Sequence, residues 1–125
     1  MIKDFILVGI GSFLGGGSRF LFCKLIDSCT RVNWPLGTFG VNIIGCLLIG
    51  FLSGLPCNSS FMNPTTRLIL TTGFCGGFTT FSTFMNENYN LCNSHDFISM
   101  TTYLFASMAI GIIAVVAGHT LGKMI

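Results

Sequence analysis

Asn42, Phe81 and Phe84 are the side chains of this chain best suited to handling an ion without trapping it, because none carries a fixed charge. The Asn42 amide offers two N–H donors to an anion or one carbonyl to a cation. Thr38 lies one turn earlier on the same helix face and adds a hydroxyl. That pairing favours a polar pathway over the other role open to a buried amide, a hydrogen bond that glues two helices. Phe81 and Phe84 are three residues apart and share a helix face. An aromatic ring has a positive edge, so two edges turned towards a pore would attract an anion. Paired phenylalanines normally pack a core, but Thr79, Thr80, Ser82 and Thr83 surround these two and favour a pore. Gly76 and Thr79 stand where unwound backbone would expose carbonyl oxygens, the ligands that hard cations prefer. If two antiparallel copies met there, each carbonyl would appear twice around a buried Na⁺.

These residues fall in a stretch that a lipid-facing helix would not contain. From 71 to 83, nine of thirteen residues are Gly, Ser or Thr. Free backbone at membrane depth is tolerated only inside protein or along a polar cavity. The adjacent pair Gly76-Gly77, followed by Thr79 and Thr80, therefore predicts a helix that breaks in mid-membrane. The elements that must carry it are membrane spans of about 20 residues. Apolar runs place four of them, at 5–26, 36–55, 65–86 and 97–123. The first runs too far for a signal-peptide core and reads as a retained span. Asn33-Trp34-Pro35 opens the second and Asn63-Pro64 the third, each with proline in the first turn. The polar run 86–96 reads as a loop or a frayed helix end. Each span carries a small-xxx-small pair: Gly11 and Gly15, Gly50 and Gly54, Gly73 and Gly77, Gly118 and Gly122. Such pairs let backbones approach closely and predict a tight bundle. Arg19, near one end of the first span, either snorkels to the surface or stands at the mouth of an anion route. Tyr103 and Ser107 share a face of the fourth span and extend the polar route.

Composition sets the class. The 125 residues are 51% hydrophobic and 8% charged, with a mean hydropathy of +0.78; soluble domains carry about 25% charged residues. The expectation is an all-α membrane protein with a single transmembrane domain over 1–125. A net charge of +2, scattered along the chain, gives no nucleic-acid footprint. Lys3, Arg67 and Lys123 fall on one side of the membrane, and Lys24 and Arg31 on the other with Arg19 near them. Neither side has the excess that would fix orientation, so one sequence can insert both ways up and form an antiparallel homodimer. The six cysteines show no CxxC or Cys/His spacing, which predicts neither a disulfide framework nor zinc. Asp4, Asp27, Glu87 and Asp96 all fall at span ends or in loops, so no carboxylate is placed to relay protons through a span. His119, near the end of the fourth span, reads as interfacial. No nucleotide-binding or hydrolytic pattern is present, and no enzyme is expected.

Three segments, GGGSR at 15–19, PLGTFGVNIIG at 35–45 and GFCGGFTTFSTF at 73–84, make nearly the whole chain similar to the Fluc (CrcB) fluoride channels, small four-span bacterial membrane proteins. The resemblance implies an antiparallel, dual-topology homodimer in the bacterial plasma membrane. It implies two pores through which fluoride leaves the cytoplasm passively, relieving its toxicity. It further implies that the ring edges of Phe81 and Phe84 contact fluoride, that Asn42 is the pore donor, and that the carbonyls of Gly76 and Thr79 hold a central structural Na⁺. Arg19 matches the family's first-span arginine, and Thr38, Ser82, Thr83, Tyr103 and Ser107 are implied as polar pore-liners. The run 86–96 is the clearest departure. Two other classes compete. A small dual-topology exporter shares the size and charge balance but needs a carboxylate inside a span. A purely structural membrane protein leaves the Phe/Thr/Asn group unexplained.

Overall fold

Apolar runs long enough to cross a bilayer fold as helices because lipid offers no partner for free backbone groups. The computed structural model describes residues 1–30, 34–56 and 62–125, and they are entirely helical and turn. In chain order these are α1 (Ile2–Cys29), α2 (Leu36–Gly54), α3 (Pro64–Leu68), a π-helical stretch (Ile69–Cys75), α4 (Gly76–Phe78), α5 (Ser82–Asn93) and α6 (Phe97–Lys123). Ile69 and Gly76 keep right-handed helical dihedrals, so α3, the π stretch and α4 form one rod. With α5 this rod makes the third of four segments long and apolar enough to span a membrane. Arg31, Asn33 and Cys57 lie outside the described residues. The other five cysteines are free thiols.

Three helix starts are held by side-chain oxygens. Asn63 accepts the Thr66 N–H at 2.8 Å ahead of Pro64, and Asp96 accepts the Ser99 N–H at 3.3 Å. At α2 the partner comes from another helix: Asp27 of α1 accepts the Gly37 N–H at 3.1 Å. Pro35 stands one residue before that helix rather than in its first turn.

The four glycine pairs close into two seams. Gly11 and Gly15 of α1 lie against the third-span rod: a Cβ on Gly11 would meet the Ile69 carbonyl at 2.6 Å, and one on Gly15 would overlap the Phe74 carbonyl. From the other side, Gly73 faces Gly11 and Val8, and a Cβ on Gly77 would stand 2.6 Å from the Ser12 carbonyl. Gly50 and Gly54 of α2 meet the backbone of Val115 and His119, while Gly118 and Gly122 of α6 meet that of Leu47 and Phe51. The ridges expected from the sequence thus mate with each other inside one chain.

Two expectations need correcting. The third span does break, but not at Gly76-Gly77, which stay helical in α4. It breaks one step later, where Thr79 turns extended (φ −92°, ψ 161°) and α5 restarts at Ser82. Glycine at 77 serves close approach to α1 rather than backbone freedom. The run 86–96 is also not simply a loop, because α5 continues to Asn93. Its inward residues Phe84, Glu87, Asn88 and Leu91 follow helical spacing, and only Ser94 to Asp96 turn the chain into α6.

Candidate ion pathway

A helix that stops in the membrane leaves carbonyls and N–H groups without intrahelical partners. Here specific side chains take them. Asn42 of α2 donates through Nδ2 to the Thr80 carbonyl at 3.0 Å, and its Oδ1 accepts the Thr80 N–H at 2.8 Å. One amide therefore clamps both sides of a single residue's backbone. In an unbroken helix that N–H would go to Gly76, whose carbonyl is left without it. Arg19 Nε donates to the Gly77 carbonyl at 3.0 Å, placing a positive charge at the negative end of the rod. Thr80 Oγ1 accepts the Thr83 N–H at 3.2 Å and steadies the first turn of α5.

Beside the break lies a groove of about 610 Å³, walled by α2, the third span and α6. Asn42, Gly76, Thr79, Phe81, Phe84 and Ser107 all line it. The Ser107 hydroxyl oxygen is buried and has no hydrogen-bond partner among the described residues. Phe81 and Phe84 touch, with ring centroids 6.2 Å apart, but they are not equivalent. Phe81 is 73% exposed on the single chain, whereas Phe84 is 6% exposed and meets Tyr103 edge-on at 4.9 Å.

Next to the groove is a second polar cluster. Glu87 of α5 accepts from Thr38 Oγ1 at 2.8 Å and from the Tyr103 hydroxyl at 2.9 Å. It also lines a smaller hollow of about 390 Å³ shared with Asp27, Trp34, Asn90 and Ser94. Phe84, Tyr103 and Glu87 thus connect the walls of the two hollows, and Trp34 packs on Tyr103 at 5.1 Å.

The sequence pattern of the family described as CrcB-like protein, Camphor Resistance (CrcB), matches residues 6–119. The chain belongs to the CrcB family. A protein of Chlorobium phaeobacteroides (strain DSM 266) named "Fluoride-specific ion channel FluC" is 42% identical over 123 residues, 98% of this chain and 95% of the relative. Relatives with the same name in Chlorobaculum tepidum and Phocaeicola vulgatus are 39% and 42% identical, over 99% and 94% of this chain and 98% and 96% of theirs. A CrcB protein is a membrane channel rather than an enzyme.

Within this CrcB chain, the residues singled out from sequence fall into three groups. Asn42, Gly76, Thr79, Phe81, Phe84 and Ser107 converge on the groove. Thr38 and Tyr103 are buried at the Glu87 cluster instead. Arg19 sits at the break, and Ser82 and Thr83 flank it outside the groove lining. Two residues were missed. Glu87, placed in a loop or a frayed helix end from the sequence, is a half-buried carboxylate inside the third span. Asn88 is 6% exposed, donates to the Phe84 carbonyl at 2.8 Å, and keeps a buried Oδ1 with no partner among the described residues. The spacing 84, 87, 88, 91 was the available signal; ending the span at 86 concealed it.

Proposed function

We propose that this chain is a fluoride-selective channel of the bacterial plasma membrane that passively exports fluoride from the cytoplasm and relieves its toxicity. The observation that carries the reading is the groove itself, where an amide, a buried hydroxyl unpartnered among the described residues and two phenyl rings meet with no fixed charge among them. Hydrogen fluoride is a weak acid that crosses lipid neutral and ionises in a less acidic cytoplasm, so the trapped anion needs a passive way out. A path for it must replace strong hydration yet hold the ion weakly enough to release it. The remaining Asn42 N–H, the Ser107 hydroxyl and the ring edges of Phe81 and Phe84 meet both demands. Thr38, Tyr103, Ser82, Thr83 and Arg19 extend polar lining and positive potential to either side.

The working unit is an antiparallel, dual-topology homodimer with two pores, each lined by both copies. The groove between α2, the third span and α6 is open, and the exposed Phe81 ring that lines it fits burial against a second copy. A central Na⁺ held by the carbonyls of Gly76 and Thr79 would bind the two copies together. These residues fit the ion: the Gly76 carbonyl has lost its helical donor, the Thr80 N–H, Thr79 is extended, both line the groove, and backbone carbonyls are hard neutral ligands. Glu87 supplies the embedded carboxylate that a small proton-coupled exporter would need. Its two hydroxyl partners and the family membership favour the channel.

The deciding measurement is efflux from liposomes in the presence of a potassium ionophore. Fluoride release with chloride retained is expected; equal release of both would reject selectivity, and release dependent on a proton gradient would favour the exporter. Exchanging Na⁺ for a bulky organic cation is expected to weaken the dimer or its flux, and indifference would remove the central cation.

A further inference from the structure

We propose that Arg67, which does not itself line the groove, is the positioning residue that sets the register of the broken span against α2. α2 ends at Gly54 with no basic residue in its last turn. Its final carbonyls need donors, and a residue of another helix supplies them. Arg67 Nη1 donates to the Leu52 carbonyl at 3.0 Å and Nη2 to the Leu55 carbonyl at 3.2 Å. The planar guanidinium makes both bonds at once, which the point charge of a lysine cannot do. The Arg67 carbonyl in turn accepts from Thr71 Oγ1 at 2.7 Å, at the entry to the π stretch.

This fork and the Asn42 clamp on Thr80 are the ties that bracket the groove between the third span and α2; a third, from Thr38 to Glu87, lies beyond the break. Thirteen residues separate the ties on the third span, and ten to thirteen on α2. Both paths therefore run about 15–20 Å at the α-helical rise, and the i→i+5 turns of the π stretch take up the extra residues. The groove walls between the ties are Asn42, Gly45 and Ile49 on one side and Thr72, Cys75 and Thr79 on the other. Fixing both ends fixes which α2 residue faces which third-span residue. Releasing the Arg67 end lets the rod slide or rotate, and the amide, hydroxyls and rings lose their common focus.

The inference rests on the channel reading, and one assay separates the two. Arg67→Lys keeps the charge that insertion reads but loses the fork. In liposomes, the fluoride-over-chloride permeability ratio of Arg67→Lys is expected to fall about tenfold, the scale of one charge-assisted hydrogen bond. The charge-conserving swap Lys123→Arg, at an exposed residue, should leave it unchanged. A loss of folded protein alone lowers total flux and leaves the ratio intact, so the ratio reports positioning. A wild-type ratio in Arg67→Lys overturns the proposal, while a wild-type protein that passes no fluoride overturns the channel reading instead. If the lysine variant does not fold, Arg67→Gln, which keeps two amide N–H donors without the charge, takes its place. A reduced ratio again supports positioning, and a wild-type ratio again overturns it.

Discussion

The glycine seams and the break in the third span are both places where backbone lies bare, yet they are built on opposite principles. At the seams, α1 meets the third-span rod and α2 meets α6 so closely that a Cβ at most of the seam glycines would strike a carbonyl or main-chain atom. Ser12 Oγ donates to the Gly73 carbonyl at 3.2 Å and Ser53 Oγ meets His119 Nδ1 at 3.2 Å, but the contact is mainly dispersion and shape. At the break, the exposed peptide groups are taken up one by one by Asn42, Arg19 and Thr80. The seams resist change sterically. The break is held by a few replaceable hydrogen bonds, and the polar groove has formed beside the break.

The largest effect is expected where that contrast is pushed hardest. Gly15→Ala and Gly118→Ala put a methyl group onto the carbonyls of Phe74 and Leu47, which cannot retreat without parting two helices. Each should cost about 3 kcal/mol or more and abolish the monodisperse peak in size-exclusion chromatography. Tolerance at both positions would mean the seams are looser than described. Asn42→Ala comes next. It orphans the Thr80 N–H and carbonyl at about 1–3 kcal/mol apiece, and fluoride efflux should fall towards background while circular dichroism keeps its helical content. Asn42→Asp, which retains the acceptor but not the donor, should fall between alanine and wild type.

Phe84→Ile and Phe81→Ile divide the groove from the core. Both should slow fluoride efflux. Only Phe84→Ile should also lower thermal stability, by about 1–2 kcal/mol, because it loses the edge-on contact with Tyr103. Equal stability losses would show that Phe81 is buried by something outside the single chain. The smallest effect belongs to Gly76→Ala. Its Cβ would meet only the Thr71 carbonyl, at 4.0 Å, so folding of the chain should be unaffected or gain up to about 1 kcal/mol of helix propensity. Gly77→Ala, one residue on, should behave like the seam variants. Loss of assembly in Gly76→Ala without unfolding would place a second copy or an ion against that wall.

Much of this was legible in the sequence, for identifiable reasons. Four apolar runs dictate four spans, and paired glycines dictate close contact, since neither signal depends on distant partners. The pairing of the glycine ridges was not legible, because a ridge does not say which ridge it meets. The break was displaced for a similar reason: Gly77 is needed for the approach of α1, and glycine reads alike whether it frees a backbone or admits a neighbour. Asn42 could be recognised as a polar group at depth, but its clamp on Thr80 required the break to be located first. Glu87 and Asn88 were hidden by the polar residues 86, 89 and 90 between them and their helical neighbours, which read as loop until packing against α6 was known.

α5, alone among the long helices, has no glycine and therefore no seam. It is attached through the Thr80 clamp, the Phe84–Tyr103 contact and the two hydroxyls on Glu87. The rest of the bundle is a stiff frame, and α5 is its compliant member. Thermal agitation and lateral pressure from the bilayer will therefore be expressed first as motion of this one short segment, beside the groove.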